Sequence, residues 1–471
     1  MKMDPPAGGR SGVLLLGMSN WIRNQSWWQA LHGYFPSDLR GWISAALTAR
    51  ALEGTRFPAL PRIEQQPQVA IDASVPADEL RYGSAGVNIF AYLRGQFGLG
   101  ESARLYARAL LAQGFPVALH DIDLQIPHSF DDDTLGRHIG TTAPYDVSLI
   151  FVNPDYFAQA LRAIGRAKME GRYIIACWFW ELETIPEEWR WALEEVDEIM
   201  VASRFVAQAF RRATDKPVFR VPLPMNALSD SGLSRSDFGL AQDNFIFMNA
   251  FDYNSWLDRK NPFAVIEAFQ EAFPIGRNDV QLLLKSSNGH RHPGKLHRLL
   301  AATVDDSRIL IRDEIIDRAH VNALHRCVDA YISLHRAEGF GLGLAECMAM
   351  GKPVIATGWS GNLDFMTSAN SCLIDYKLVP VGRDQYPHAK GARWAEANKA
   401  DAAVQMRRLV DEEGFAARLG ERAASDVGET LGQTQAGRVL IDRLLQLNGR
   451  TSIHECSASA QSKAGQDETA P

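Results

Sequence analysis

No uninterrupted apolar stretch in the chain approaches the run of about 20 residues that a bilayer-spanning helix needs; the longest are strand-length. Near the start, Val13–Leu16 is too brief for a signal-peptide core, which has at least about seven apolar residues. Positive charge is in deficit, since 49 Lys and Arg against 56 Asp and Glu leave a formal net charge of −7. A nucleic-acid partner needs a basic surface, so that class of function is excluded, although local basic clusters are not. Cysteine is scarce as well. The five residues Cys177, Cys327, Cys347, Cys372 and Cys456 are an odd number, with no pair at metal-ligand spacing. Reduced thiols in a cytoplasmic protein follow, rather than a disulfide framework or a zinc site.

What is present is an ordinary globular balance, 46% hydrophobic and 22% charged, spread over 471 residues. That length exceeds what one core accommodates. Residues 1–84 stand apart as a Trp-rich extension. Trp21, Trp27, Trp28, Tyr34 and Phe35 crowd together, Trp42 to Leu52 reads as a short helix, and Pro58, Pro61 and Pro67 interrupt the stretch after it. Aromatics are mostly core, so a helical extension packed on the first domain is expected. The second reading sets Arg23, Arg40 and Arg50 among the tryptophans at a membrane interface, a peripheral contact with the inner membrane.

From Val87 a regular alternation begins. Val87–Leu93 reads as a strand, Gly95–Gly100 as a glycine loop, Glu101–Gln113 as a helix and Pro116–Asp123 as the next strand. That is one βαβ unit, with both strands parallel in one sheet. Further strands fall at Asp146–Asn153, Arg172–Trp180, Glu198–Ala202 and Val218–Pro222. The polar stretch Asn226–Asp243 has no apolar period and reads as a linker. The alternation then restarts, with strands at Phe245–Ala250, Val280–Lys285, Arg308–Ile311, Ala330–His335, Pro353–Thr357 and Cys372–Asp375. Two such series predict two doubly wound α/β domains, 85–228 and 244–430, with a cleft between them. A helix over 431–450 is expected to return towards the first domain, and 451–471 to be a disordered polar tail.

The densest chemistry lies in Tyr331–Asp364, YISLHRAEGFGLGLAECMAMGKPVIATGWSGNLD. A strand ends near His335, a tight loop holds Gly339 and Gly341, and a helix starts near Leu342. Glycines at a strand's carboxyl end let a ligand approach, and the helix start offers free N–H groups and the positive end of a dipole. That is a seat for a diphosphate. Glu338 lies in the loop and Glu346 on the helix. In FDYNSWLDRKNPFAVIEAF, Phe251–Phe269, the cations Arg259 and Lys260 precede a helix opened by Asn261 and Pro262. The dipole disfavours cations there, and an anion between them would resolve the conflict. Lys285 closes the strand QLLLK at the sheet edge where α/β domains bind ligands; a plain strand-terminal charge is the equal alternative.

The stretch EGFGLGLAE, followed by MAMGKPVIAT, resembles the glutamate–seven–glutamate signature of glycosyltransferase family 4, retaining enzymes of the GT-B fold. The resemblance covers roughly Gly86 to Leu447 and implies a nucleotide-diphosphate sugar as co-substrate, with no other cofactor and no metal. It implies that Glu338 contacts the transferred sugar, that Glu346 bonds the donor ribose, and that the amides around Phe340, Gly341 and Leu342 hold phosphate, with Asn362 also at the donor. Lys260 matches the lysine that steadies the leaving diphosphate. Where the family often has an arginine, this chain has Asn254, and Arg259 or Lys285 is the substitute. GQFGLGESAR, Gly95–Arg104, fits the family's glycine loop, so Gly98 and Gly100 are placed on the donor side; the spacing is wrong for a dinucleotide fingerprint.

In CWFWELETIPEEW, Cys177–Trp189, position alone gives Glu181 an acceptor-side catalytic role, and Trp178 and Trp180 are candidate sugar platforms as well as core residues. Asp121 and Asp123 read as a strand end and not as a metal pair. The expected activity is retaining transfer of a hexose, with mannose from GDP-mannose preferred, to a glycan or lipid-linked saccharide in surface polysaccharide synthesis. A sugar-nucleotide 2-epimerase and a non-catalytic partner subunit share the architecture and are the alternatives.

Overall fold

The computed structural model describes residues 53–63, 85–225 and 231–464, together with Leu14, Gly17, Gln25 and Tyr82. The described residues fall into two compact units that divide near residue 227 and again after Asp426.

In the first unit, β1 (Val87–Ala91), β2 (Val117–Asp121), β3 (Val147–Phe151), β4 (Tyr173–Cys177), β5 (Glu198–Val201) and β6 (Val218–Arg220) form one sheet in the order β2-β1-β3-β4-β5-β6. Every pairing in it is parallel. Its helices are α1 (Gly98–Leu111), α2 (Pro154–Ile164), α3 (Arg190–Glu194) and α4 (Arg204–Arg211). Runs such as VNIFA and VSLIF are buried at every residue, as strands covered on both faces must be.

The second unit repeats the plan. β7 (Phe245–Asp252), β8 (Val280–Ser287), β9 (Ile309–Asp313), β10 (Ala330–Ser333), β11 (Val354–Thr357) and β12 (Cys372–Ile374) lie in the order β12-β11-β10-β7-β8-β9, again all parallel. The helices α5 (Leu257–Lys260), α6 (Pro262–Ala272), α7 (Pro293–Thr303), α8 (Arg318–Cys327), α9 (Leu342–Ala349) and α10 (Lys399–Asp411) accompany it. An antiparallel hairpin not anticipated from the sequence, β13 (Tyr376–Pro380) with β14 (Arg393–Ala397), follows the sheet.

Each expected strand is present; β7, β8 and β9 run two residues further than expected at their carboxyl ends, and the others are shorter. The two sheets are Rossmann-like, as expected. The chain then crosses back through α11 (Phe415–Leu431) into α12 (Gln433–Ala464). In the first unit α12 lies on α1: Gln433 Nε2 donates to the Arg108 carbonyl (3.0 Å) and Arg443 forks onto Glu198 at 2.9 and 2.7 Å.

Three segments depart from expectation. α12 runs on to Ala464 instead of giving way to a tail at 451; no Gly or Pro lies between Thr451 and Lys463 to stop it. Residues 231–243 are part of the second unit, because Arg235 pairs with Asp329 (2.6 Å) and donates to the Cys327 carbonyl (2.8 Å). Lastly, the described part of the extension sits on the second domain, not the first. Arg312 donates to the Gly54 carbonyl (3.3 Å), the Phe57 N–H to Glu314 (3.0 Å), and His320 Nε2 lies 2.9 Å from the Pro61 carbonyl. Apart from Gln25, the Trp-rich stretch from Trp21 to Trp42 lies outside the described residues.

Candidate active site

Strand order in the second sheet reverses between β7 and β10. Loops leaving adjacent carboxyl ends diverge at such a point and leave a crevice, which is where open α/β sheets bind ligands. The loop after β7 is folded locally by Asp252, which accepts from the Asn254 N–H (2.8 Å) and from Asn288 Nδ2 (3.0 and 2.9 Å). The single turn of α5 ends at Asn261, whose φ of 51° is left-handed. Asparagine tolerates that region, and its Nδ2 fixes the turn to the Leu334 carbonyl at 3.1 Å. Pro262 then opens α6. The consequence is that Arg259 and Lys260 are aimed at the loop after β10.

There the two oxygens of Glu338 are each engaged: Lys260 Nζ lies 2.5 Å from Oε1 and Arg259 Nη1 3.2 Å from Oε2. Glu338 is 8% exposed. Burial pushes its carboxyl up, but the charges of Lys260 and then Arg259 outweigh that and hold the pKa at about 2. The loop is tied to the neighbouring one after β11, as the Glu338 N–H donates to Ser360 Oγ (2.8 Å) and the Gly361 N–H to the Glu338 carbonyl (2.9 Å).

His335, which sequence reasoning passed over, completes this lacing. Its Nδ1 lies 3.1 Å from Ser333 Oγ and its Nε2 lies 3.3 and 3.2 Å from the Trp359 carbonyl and Asn362 Oδ1. Two acceptors at Nε2 require the proton there, and burial lowers the pKa, so the ring is neutral. The only signal in the sequence was a polar residue ending an apolar strand. Asn362 is fully buried between His335 and the Thr357 carbonyl (3.1 Å from Nδ2), so its side chain holds the loop rather than facing a donor. Phe340 is likewise buried, on Phe365. Gly341, at φ +95°, caps α9, and the helix-initial amides of Leu342 and Gly343 lead out of the loop without intrahelical acceptors.

Glu346, on α9, belongs to a second cluster. Its Oε1 accepts from Arg318 Nη2, and its Oε2 lies 3.9 Å from His325 Nδ1. Lys285 is in the same electrostatic neighbourhood; burial lowers its pKa against the pull of Asp252 and Asp313. The ring of Tyr331 stands edge-on to His325 at 5.9 Å. The structure thus brings Lys260, Arg259 and Glu338 together and sets Glu346 with Arg318, a residue not singled out from the sequence.

In the first domain Gly98 is exposed at the start of α1, while Gly100 is buried against the carbonyls of Tyr92 and Gly95. Arg104 fixes that loop by donating to the Leu93 and Gly95 carbonyls (2.9 and 2.8 Å), and pairs with Glu101 at 2.7 Å. Glu181 is partly buried beyond β4. Trp178 and Trp180 are not sugar platforms: both are buried, with indole N–H groups donating to the carbonyls of Val152 and Thr184 at 2.8 Å. Asp121 is taken up by the Arg94 N–H at 3.0 Å.

Residues 245–389, which span Lys260, Lys285, Glu338 and Glu346, match the family model described as glycosyl transferases group 1. No curated protein matches the chain. Among solved structures it is similar to sucrose-phosphate synthase from Thermosynechococcus elongatus (15% identity, TM-score 0.58, 78% of this chain and 100% of that one). It is also similar to a glycosyltransferase from Rickettsia africae (14%, 0.56, 78% and 99%). A third is HepE from Anabaena, in complex with UDP and glucose (15%, 0.54, 76% and 99%). The fold shared with these structures is GT-B, with two Rossmann-like halves, and the family match lies within the second of them. Among the described residues no helix is long and apolar enough to cross a membrane.

Proposed function

We propose that this chain is a retaining glycosyltransferase that moves a hexose from a nucleotide-diphosphate sugar to a glycan or lipid-linked saccharide, within surface polysaccharide synthesis. The observation that carries the reading is the buried Glu338 held by Lys260 and Arg259 at the switch point of the second sheet. A carboxylate kept ionised there accepts hydrogen bonds from sugar hydroxyls. The two cations beside it, with the first amides of α9, stabilise the charge that develops on the leaving diphosphate. That charge is met by side chains and backbone, so the proposal includes no metal and no cofactor beyond the donor. Glu346 takes the ribose. Mannose from GDP-mannose is the proposed donor sugar, and the UDP that occupies HepE makes UDP-hexoses the first comparison.

Purified protein incubated with GDP- and UDP-hexoses tests the reading. Release of the nucleoside diphosphate, with a product whose anomeric configuration by NMR is that of the donor, is expected. Inversion overturns the retaining assignment; absence of binding and release with every donor overturns the transferase reading.

A further inference from the structure

We propose that Arg318 is a positioning residue of this site, fixing Glu346, the proposed ribose acceptor, by engaging its Oε1. The proposal rests on the reading of the site as a nucleotide-sugar site. Arg318 is the first residue of α8, where the helix dipole disfavours a cation. Its guanidinium meets the Oε1 of Glu346 on α9. That carboxylate is 4% exposed, and a buried charge needs a partner. His325 does not serve, because burial pushes its pKa down to about 3 and its Nδ1, at 3.9 Å, is beyond hydrogen-bond range. Arg318 is therefore the cation hydrogen-bonded to Glu346. Its own side chain is a quarter exposed.

The position of Arg318 is set by a part of the chain outside the family match. Asp317 caps α8 by accepting from the His320 N–H (2.9 Å). The turn before it is pinned where Glu314 accepts from the Phe57 N–H (3.0 Å), and the first turn of α8 where His320 meets the Pro61 carbonyl (2.9 Å). Residues 53–61 thus hold the β9–α8 turn that presents Arg318 to Glu346.

Binding of UDP, GDP and inorganic pyrophosphate to the full chain, by calorimetry, is the test. Arg318→Ala is expected to raise the Kd of the nucleoside diphosphate about tenfold, the scale of one charge-assisted hydrogen bond. It should leave pyrophosphate binding unchanged, and Arg318→Lys should recover part of the loss. Combined with Glu346→Gln, Arg318→Ala should add little, since both act through one carboxylate. Glu314→Ala should weaken nucleotide binding less, and Glu314→Gln, which still accepts from Phe57, should not. Equal weakening of pyrophosphate would make Arg318 a phosphate ligand and overturn the proposal, as would additive losses in the double variant. A wild-type chain that binds neither nucleotide overturns the transferase reading itself. Tight wild-type binding that Arg318→Ala leaves untouched overturns this inference alone.

Discussion

Removing Lys260 should do two separable things, because the ammonium serves both the fold and the reaction. At about 1.36 kcal/mol per pH unit, the fall of the Glu338 pKa from 4.5 to about 2 is a stabilisation of about 3 kcal/mol. The carboxyl is depressed in the folded state, so this contribution is complete above about pH 4.5 and disappears as pH falls through about 2. Lys260 makes the shorter of the two contacts, 2.5 Å against 3.2 Å for Arg259. Lys260→Ala should therefore forfeit more than half, about 2 kcal/mol, or about 4–8 °C in the melting of a domain of this size. Turnover should fall by about 10²–10³, the usual cost of one electrostatic contact to developing charge.

The double variant Lys260→Ala/Glu338→Gln separates the two effects. With no buried carboxylate left for Lys260 to offset, its melting temperature at pH 7 should lie above that of Lys260→Ala, although the Arg259–Glu338 pair is lost as well. Its transfer rate should stay at or below that of the single variant. Thermal melts at pH 7 and pH 3 with donor-release assays on the three proteins decide it. A double variant as unstable as Lys260→Ala would refute the pairing argument, and near-wild-type transfer by folded Lys260→Ala would refute the site.

Glu346→Gln is expected to raise the donor Kd with little change in kcat, because a ribose contact is made equally in ground and transition states; steady-state kinetics with a fall in kcat alone would contradict it. Gly361→Ala would place a Cβ 2.1 Å from the Gly339 carbonyl oxygen, so it should displace the Glu338 loop and lower both stability and donor binding, measured by melting and calorimetry. Trp180→Ala should cost about 3–5 kcal/mol as a core truncation, visible in denaturant unfolding; unaltered stability with weakened acceptor binding would restore it as a sugar platform.

How much of this was legible beforehand depended on whether the signal was local. Strand positions were, since a strand buried on both faces must be an apolar run wherever its partners lie, and every such run became a strand. The helix at Leu342 was foretold by glycines and an apolar period, and the donor loop by the density of EGFGLGLAE. Arg259, Lys260 and Glu338 could each be named from the sequence. Their union could not, because 78 residues separate Lys260 from Glu338 and only the crossover that sets β7 beside β10 makes them neighbours.

The misjudged residues failed for the same reason. Trp178, Trp180 and Asn362 carry side chains equally suited to a ligand and to a core, and burial is a property of what surrounds a residue. The hairpin of β13 and β14 was missed because its strands are short and β13 has no buried residue, so each exists through pairing with the other. His335 and Arg318 had no motif, and each acquires its role from a partner on another element, Asn362 in one case and Glu346 in the other. The sequence by itself determined the two series of parallel strands and the chemical types available at their carboxyl ends. Tertiary structure alone decided which charges meet and which are buried, since strand order and the burial of a carboxylate arise from long-range packing that no local period encodes.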